Sequence, residues 1–166
     1  MAKTVKTNAI RLLEHGRIAH ELVAYSVDPN DLSATHLAQQ LGLLPQEVFK
    51  TIVLQTPEGL PLVAVIPATG EVDLKKLAKA NHSKSVQPLP LKALQATTGY
   101  IRGGCSPIGM KKLFPTYIDS SAKALPYIYV SAGMRGLQIK IAPQELQRCT
   151  QAEWADICTA TPLGNG

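Results

Sequence analysis

Apolar residues recur along the chain at spacings that alternate between helical and extended periods. The apolar positions after Thr7 or Asn8 predict a first helix, which Gly16 ends. Ser33 is expected to cap a second helix, because a short polar side chain accepts hydrogen bonds from the first turn, and a later basic helix is expected to begin at Asp73. These later helical segments are predicted at 34–41, 45–47, 73–80, 89–96 and 143–149.

Alternating and β-branched runs predict strands at 17–25, 49–55, 60–68, 85–87, 115–119, 126–130 and 136–142. A Pro-Glu-Gly turn joins the second and third of these runs, which therefore predict a β-hairpin. Residues 151–158 are predicted as a last turn, and 159–166 as a frayed tail after a single domain over 1–158. The order of elements is not a regular alternation of strand and helix, so a mixed, curled sheet flanked by helices is favoured over a doubly wound one.

The segment 98–112, TGYIRGGCSPIGMKK, has three glycines within 103–109, together with a proline, a thiol and cations at both ends. Glycine allows positive φ angles and a close approach of the backbone to a ligand, while proline restricts one φ. Such a loop can direct consecutive N–H groups inward as a nest for an oxyanion or a phosphate. The alternative is an ordinary tight connection between two strands.

Composition and charge narrow the class of protein. The chain has 166 residues, of which 45% are hydrophobic and 17% charged, as expected for one globular domain. The net charge of +5 fits an anionic partner without requiring one. Three widely spaced cysteines without a CxxC motif indicate a reduced, intracellular protein without a structural zinc site. We find no signal peptide and no apolar run of membrane-spanning length, and we expect a cytoplasmic protein with no metal or cofactor.

Motifs of well-known catalytic sites are missing from the sequence, and single residues stand out instead. There is no nucleophile elbow, H-E-x-x-H motif, Walker loop or dinucleotide fingerprint, and the four histidines are interpreted as solvated or packed side chains. Lys50, at the beginning of a strand, either extends to water or faces a cleft, where its ammonium group suits a phosphate or a carbonyl oxygen. Cys105 is either a nucleophile or a small packing residue, and Ser131 either contacts a ligand or ends a strand.

Three motifs together resemble the YbaK/EbsC family, the free-standing relatives of the editing domain inserted in bacterial prolyl-tRNA synthetases. They are FKT at 49–51, TGYIRGGCSPIGMKK at 98–112 and YVSAGMRGLQIKIAP at 129–143. The resemblance extends from the first helix to about residue 157 and implies an α+β fold with a mixed, partly closed, barrel-like sheet flanked by helices. It also implies an aminoacyl-tRNA deacylase acting in trans. The GGxSPxGxKK form of the loop resembles the subgroup that removes cysteine from the proline tRNA.

The resemblance implies roles for the residues that match the family's motifs. Lys50 is expected to hold the phosphate and 3′ end of the acceptor adenosine, and the loop to receive the ester carbonyl. Gln138 occupies a position where family members often have an acidic residue. A role that depends on a carboxylate at this position therefore does not transfer to this chain. The predicted catalytic residues are Lys50, Gly103 and Gly104, and the predicted substrate-binding residues are Tyr25, Thr51, Cys105, Ser106, Pro107, Gly109, Ser131 and Gly133.

A deacylation mechanism and its alternatives follow from this resemblance. A pocket sized for proline excludes cysteine or alanine by only about 1–3 kcal/mol, so fidelity needs a second site. Backbone N–H groups on the developing oxyanion are worth about 3–4 kcal/mol each. Either the substrate's own thiol attacks its ester, or a water held near the ribose 2′-hydroxyl does.

Other functions stay open at this point. The chain could be a deacylase of alanine-charged proline tRNA, a hydrolase of small aminoacyl esters, or a non-catalytic adaptor that binds tRNA or the synthetase. The expected partners are the acceptor end of the proline tRNA and, transiently, prolyl-tRNA synthetase, with no membrane and no DNA. The basic face that an adaptor would use comprises Lys75, Lys76, Lys79, Lys84, Lys111 and Lys112.

Overall fold

The computed structural model describes residues 6–159. Its helices begin where the sequence provides caps: the Thr7 hydroxyl accepts a hydrogen bond from the Ile10 N–H, and Ser33 and Asp73 cap the second and third helices in the same way. The helices are α1 (Asn8–His15), α2 (Ala34–Leu41), α3 (Leu74–Ala80), α4 (Leu94–Thr98) and α5 (Pro143–Thr150). Short 3-10 turns lie at Pro45–Glu47, Leu91–Ala93 and Ser120–Ala124.

In residues 6–159, eight strands form two sheets. They are β1 (Glu21–Ala24), β2 (Phe49–Gln55), β3 (Pro61–Pro67), β4 (Gln87–Pro88), β5 (Thr116–Asp119), β6 (Ile128–Ser131), β7 (Leu137–Ile141) and β8 (Glu153–Ala155). One sheet has the antiparallel order β1-β7-β6, and the other has the mixed order β4-β2-β3-β5-β8, with β5 parallel to both of its neighbours. A single bridge between Val48 and Tyr129 links the two sheets. The mixed, partly closed sheet flanked by helices is thus confirmed.

The hairpin of β2 and β3 lies at the centre of the larger sheet, and its register runs from Phe49 opposite Pro67 to Gln55 opposite Pro61. Side chains alternate along β3, so that Val63 and Val65 face one core and Leu62, Ala64 and Ile66 face another. The first core also contains α1 and the inner side of β6 and β7, and the second contains α3. Burial on both faces explains the continuous apolar run in this part of the sequence.

Several predicted elements differ from the structure, and the strand predicted at 85–87 lies at Gln87–Pro88. The last turn predicted at 151–158 is wrong, because Glu153–Ala155 forms β8, which pairs with the edge of β5. The strand predicted at 17–25 is shorter, because only 21–24 lie opposite β7, while Arg17 has a positive φ of 53°. The helix predicted at 89–96 becomes a 3-10 turn followed by α4. Local pattern does not reveal a short edge strand whose pairing partner lies far along the chain.

The end of the described chain is paired with the segment that follows β3. The N–H of Thr159 donates to the carbonyl of Glu71 at 2.9 Å, and Val72 forms a bridge with Cys158. The remainder of the predicted tail, 160–166, lies outside the described residues, and the predicted domain over 1–158 stays a prediction. No helix within 6–159 is both long and apolar enough to cross a membrane.

Candidate functional site

A cavity of about 580 Å³ opens where the segment between β1 and α2 meets the beginning of β2 and the glycine loop. It brings together several of the residues that the sequence singled out, although these are far apart along the chain. Those that line it are Tyr25, Lys50, Thr51, Gly103, Cys105 and Ser131, together with Gln138. Lys50 and Gly103 therefore face the same space, as the deacylation hypothesis requires.

Two glycine turns pack against each other beside this cavity. Gly103 has a positive φ of 83°, and a side chain at Gly104 would lie 3.0 Å from the backbone of Met134 and Arg135. Only glycine permits this approach of the segment 101–104 to the segment 131–136. The Arg135 Nε then donates to the carbonyl of Arg102 at 2.9 Å, which holds the turn in place.

The two glycines of the turn differ in how their N–H groups are used. The N–H of Gly104 donates to the carbonyl of Ile101 at 3.0 Å. Among the described residues, no acceptor is found for the N–H of Gly103. Gly103 is therefore the better candidate of the two for a donor to a bound ligand.

Ser106, Gly109 and Gly133 are not among the described residues that line the cavity, and their contacts are structural. The buried Ser106 hydroxyl accepts a hydrogen bond from the Ile108 N–H at 3.2 Å. Gly109 packs against the backbone of α1, and Gly133 packs against the ring of Tyr100. The predicted substrate-binding roles of these residues and of Pro107, and the predicted catalytic role of Gly104, are not tested by this placement and stay predictions.

Lys50 is placed by the central hairpin. It is the second residue of β2, opposite Ile66, and 26% of its side chain is exposed. Its Nζ lies 3.4 Å from the Oε2 of Glu71, whose side chain is 80% exposed. The strand β2 thus presents the ammonium group of Lys50 to the cavity. The ion-pair partner of this group, the Glu71 carboxylate, is solvated, so a ligand can displace it.

Two buried polar atoms at this cavity have no hydrogen-bond partner among residues 6–159: the Oγ1 of Thr51 and the Oε1 of Gln138. Gln138 is 4% exposed and lies on β7 between Val23 of β1 and Ser131 of β6. An unsatisfied buried polar atom costs about 1–3 kcal/mol, and most native structures avoid it. Both residues line the cavity, so a ligand there would supply the missing partners.

The Cys105 thiol is a poor nucleophile in this environment. Burial raises its pKa to about 11, against a smaller opposing effect of a hydrogen bond from Thr98. A thiol with this pKa is almost entirely protonated at neutral pH, and the reactive form is the thiolate. Of the two interpretations left open by the sequence, the packing side chain is favoured.

Comparison with known proteins identifies the family. A family model described as an aminoacyl-tRNA editing domain matches residues 28–149, which include β2, the glycine loop and β7. The chain belongs to the aminoacyl-tRNA editing domain family.

Relatives of this editing domain share most of its length. The chain is 48% identical over 154 residues to a protein of Enterococcus faecalis (strain ATCC 700802 / V583) assigned as the Cys-tRNA(Pro)/Cys-tRNA(Cys) deacylase EbsC, covering 93% of this chain and 94% of that one. A solved structure described as a trans-editing enzyme for prolyl tRNA synthetase superposes with a TM-score of 0.80 at 21% identity, over 95% of this chain and 100% of that one. A second solved structure, described as a hypothetical protein, has a TM-score of 0.84 at 18% identity, over 92% of this chain and 100% of that one. The two structures support the fold.

The structure adds charged residues to the editing-domain cavity that sequence reasoning missed. His36 of α2 has its Nε2 at 3.4 Å from Asp28 and its Nδ1 at 3.7 Å from Asp31. Hydrogen bonds from Ser33 hold the pKa of Asp31 below its ordinary value. A polar loop followed by a helix cap gives no signal of such a cluster, because these side chains become cavity residues only when the loop folds against the glycine turn.

The cavity of the editing domain therefore contains both signs of charge. Lys50 and Arg102 provide cations, whereas Asp28, Asp31 and Glu71 provide anions. Within residues 6–159, no group of three or more histidine, cysteine, aspartate or glutamate side chains is arranged to hold a metal ion. An ester of an amino acid with a nucleotide carries an amine at one end and phosphate at the other, and this distribution of charge is complementary to it.

Proposed function

We propose that this editing domain is a deacylase that acts in trans and removes cysteine from mischarged tRNA(Pro). The observation that carries the proposal is the shared cavity, in which the ammonium group of Lys50 and the turn at Gly103 lie beside the unpartnered Thr51 Oγ1 and Gln138 Oε1. Membership of the aminoacyl-tRNA editing family and the 48% identity to a protein assigned as a deacylase of cysteine-charged tRNA support it.

Lys50 is proposed to bind the phosphate next to the terminal adenosine. An ammonium group is a compact charge with three donors, which suits a phosphate oxygen, and its attachment to β2 limits its motion. The exposed Glu71 is then exchanged for the phosphate. Each hydrogen bond to a charged group contributes about 1.5–3 kcal/mol, enough to hold the 3′ end in register with the turn.

Thr51 and Gln138 are proposed to recognise the aminoacyl group. The amide oxygen of Gln138 needs a donor, and the α-amino group of the substrate is the strongest donor on that side of the ester. The Thr51 hydroxyl can both donate and accept, so it suits the ribose hydroxyl or the amine. Gln138 is neutral, so this acceptor stays the same whether or not nearby groups change their protonation.

Cleavage is proposed to use the thiol of the substrate. Its sulfur attacks the ester carbon, the sulfur–carbon bond forms, and the carbon–oxygen bond to the ribose breaks. The thiol proton passes to the departing ribose oxygen, and the products are a cyclic thiolactone and free tRNA. The Gly103 N–H is proposed to stabilise the negative charge on the carbonyl oxygen, an interaction worth about 3–4 kcal/mol. The alternative for the same cavity is attack by a water beside the 2′-hydroxyl.

The test is deacylation of tRNA(Pro) charged with cysteine, serine, alanine or proline, with purified protein. We expect rapid loss of cysteine, slow loss of serine and alanine, and no loss of proline. Equal rates on cysteine and serine would exclude attack by the substrate thiol, and preference for alanine would make the chain an alanine deacylase. Binding of tRNA without any deacylation would contradict the proposal and support an adaptor.

A transient complex with prolyl-tRNA synthetase and a cytoplasmic location are also proposed. A domain of this size has little surface for selecting among tRNAs, so selectivity is expected to come from the synthetase that made the error. When the assay is extended to cysteine-charged tRNA(Cys), the protein should therefore discriminate tRNA(Pro) from tRNA(Cys) better when the synthetase is present. Equal discrimination with and without it would contradict this part of the proposal.

A further inference from the structure

A second depression, of about 490 Å³, lies on α3 and the segment 83–86. Its floor is apolar, since Ala78 and Val86 are buried, with the half-exposed Leu74 at its side. Three ammonium side chains surround it, namely Lys75, Lys79 and Lys84. We call these three residues and their apolar floor the α3 basic surface.

The charges of this surface are not compensated within the described part of the chain. Lys75 and Lys79 are four residues apart on α3 and share one face, where like charges disfavour the helix. Neither they nor Lys84 has an ion-pair partner in residues 6–159, whereas the intervening Lys76 is 3.1 Å from Asp156. Among residues 6–159, no carboxylate lines the depression. A helix that keeps an unfavourable pair of cations is suited to an anionic partner outside the chain.

The α3 basic surface begins close to the editing cavity. Glu71 lines that cavity, and α3 starts at Leu74, three residues later. A chain spans at most about 3.6 Å per residue, so the Cα of Leu74 lies within about 11 Å of that of Glu71. A nucleic acid whose 3′ end enters the cavity past Glu71 would reach this surface within a few nucleotides.

We infer that the α3 basic surface binds the sugar-phosphate backbone of the tRNA acceptor arm, an inference that rests on the proposed function. Ammonium groups would contact successive phosphates, and the apolar floor would contact the sugars between them. Such contacts carry no sequence information, so they position the arm and do not select the tRNA. The acidic face of a protein is the competing partner for three cations, and the experiment separates the two.

The test compares the full chain with the triple variant Lys75→Ala, Lys79→Ala, Lys84→Ala, using uncharged tRNA(Pro) and a series of salt concentrations. Each lost phosphate contact lowers the slope of log K against log salt by about 0.7–0.9, so we expect a reduction of about 2–3. At about 0.1 M salt this corresponds to at most roughly 500-fold weaker binding, and we expect at least about tenfold. The matched control has the same loss of charge elsewhere, in Arg11→Ala, Lys92→Ala, Lys123→Ala.

Deacylation measurements distinguish this inference from the proposed function. With cysteine-charged tRNA(Pro), the triple variant should raise KM at least about tenfold with kcat little changed. The loss should disappear with cysteine esterified to adenosine 5′-monophosphate, whose single phosphate suits Lys50 and which has no further backbone to reach the α3 basic surface. A full chain that binds tRNA through this surface but deacylates neither substrate would overturn the proposed function alone.

Three results would overturn the inference while leaving the proposed function intact. The first is an unchanged salt slope and affinity in the triple variant. The second is an equal loss in the control variant, which would assign the effect to net charge. The third is a loss seen only with the synthetase present, which would assign the surface to an acidic protein face.

Discussion

Replacing Thr51 by valine should make the protein more stable and less active. The Thr51 Oγ1 is buried at the cavity and has no hydrogen-bond partner within residues 6–159. Valine keeps the branched shape of threonine and is at least as favourable in a strand, so β2 should be undisturbed. The substitution removes only the hydroxyl, and with it the cost of burying an unsatisfied polar atom.

The magnitudes follow from the hydrogen bonds of that hydroxyl. A buried unsatisfied polar group costs about 1–3 kcal/mol, and part of this returns on substitution, so we expect the free energy of unfolding to rise by about 1 kcal/mol. For a domain of this size, that raises Tm by about 2–4 °C. Loss of one neutral hydrogen bond to the substrate, about 0.5–1.5 kcal/mol, should lower kcat/KM roughly 2- to 13-fold.

The matched control is Thr116→Val in β5. Thr116 is a buried strand residue, at 6% exposure, whereas Thr51 is partly exposed with a buried hydroxyl; the Thr116 hydroxyl donates to the Phe114 carbonyl at 2.9 Å. Its loss should lower the free energy of unfolding by about 0.5–1.5 kcal/mol and leave kcat/KM unchanged. Thermal unfolding and deacylation of cysteine-charged tRNA measure the two effects. If Thr51→Val destabilises the protein as Thr116→Val does, the hydroxyl has a partner in the free protein and the reasoning is refuted.

Further predictions concern charge, pH and the glycine loop. Lys50→Met should lower kcat/KM about 10- to 150-fold, which corresponds to the loss of one hydrogen bond to a charged group. Glu71→Gln should leave kcat/KM equal or higher, and an equal fall in kcat/KM in both variants would contradict phosphate binding by Lys50. Burial raises the pKa of Cys105 to about 11 from 9.0, so its contribution to stability is complete below about pH 9 and is lost as pH rises toward 11. Burial raises the pKa of Cys149 to about 11 as well, so chemical unfolding of the protein is compared with that of Cys105→Ala across this range. An equal fall in stability in both proteins would contradict the assignment to Cys105. Gly109→Ala should lower the free energy of unfolding by at least about 1–3 kcal/mol, because the φ of Gly109 is +76° and the new Cβ would lie 2.8 Å from the backbone of α1. Thermal unfolding measures the effect, and an unchanged Tm would contradict the predicted loss of stability.

The placement of the predicted residues also separates two uses of glycine in one loop. Gly103 faces the cavity, while Gly104 and Gly109 allow backbones to approach each other. The sequence does not distinguish the three glycines, because a close approach of a ligand and a close approach of another backbone both require a residue without a side chain. Substitution at Gly104 or Gly109 is therefore expected to affect stability first and activity only as a consequence.

Much of the secondary structure could be derived from sequence alone. The caps at Thr7, Ser33 and Asp73, the turn of the central hairpin and the period of β2 are encoded by residues within a few positions of one another. Steric restriction of the backbone and local hydrogen bonds determine these features, and both act over short distances along the chain. The motifs around Lys50 and Gly103 likewise indicate the family through their resemblance to it.

Only the tertiary structure decided which side chains form the cavity and which of their polar atoms have no hydrogen-bond partner. β8 exists because the edge of β5 offers unpaired backbone groups to residues 153–155. Glu71 lies within ion-pair distance of Lys50 because the chain folds back on itself. His36 lies close to Asp28 and Asp31 for the same reason. The unpartnered state of Gln138 depends on every segment packed around it. Hydrogen bonding and burial of a side chain are properties of its surroundings, and these come from parts of the chain that sequence pattern does not connect.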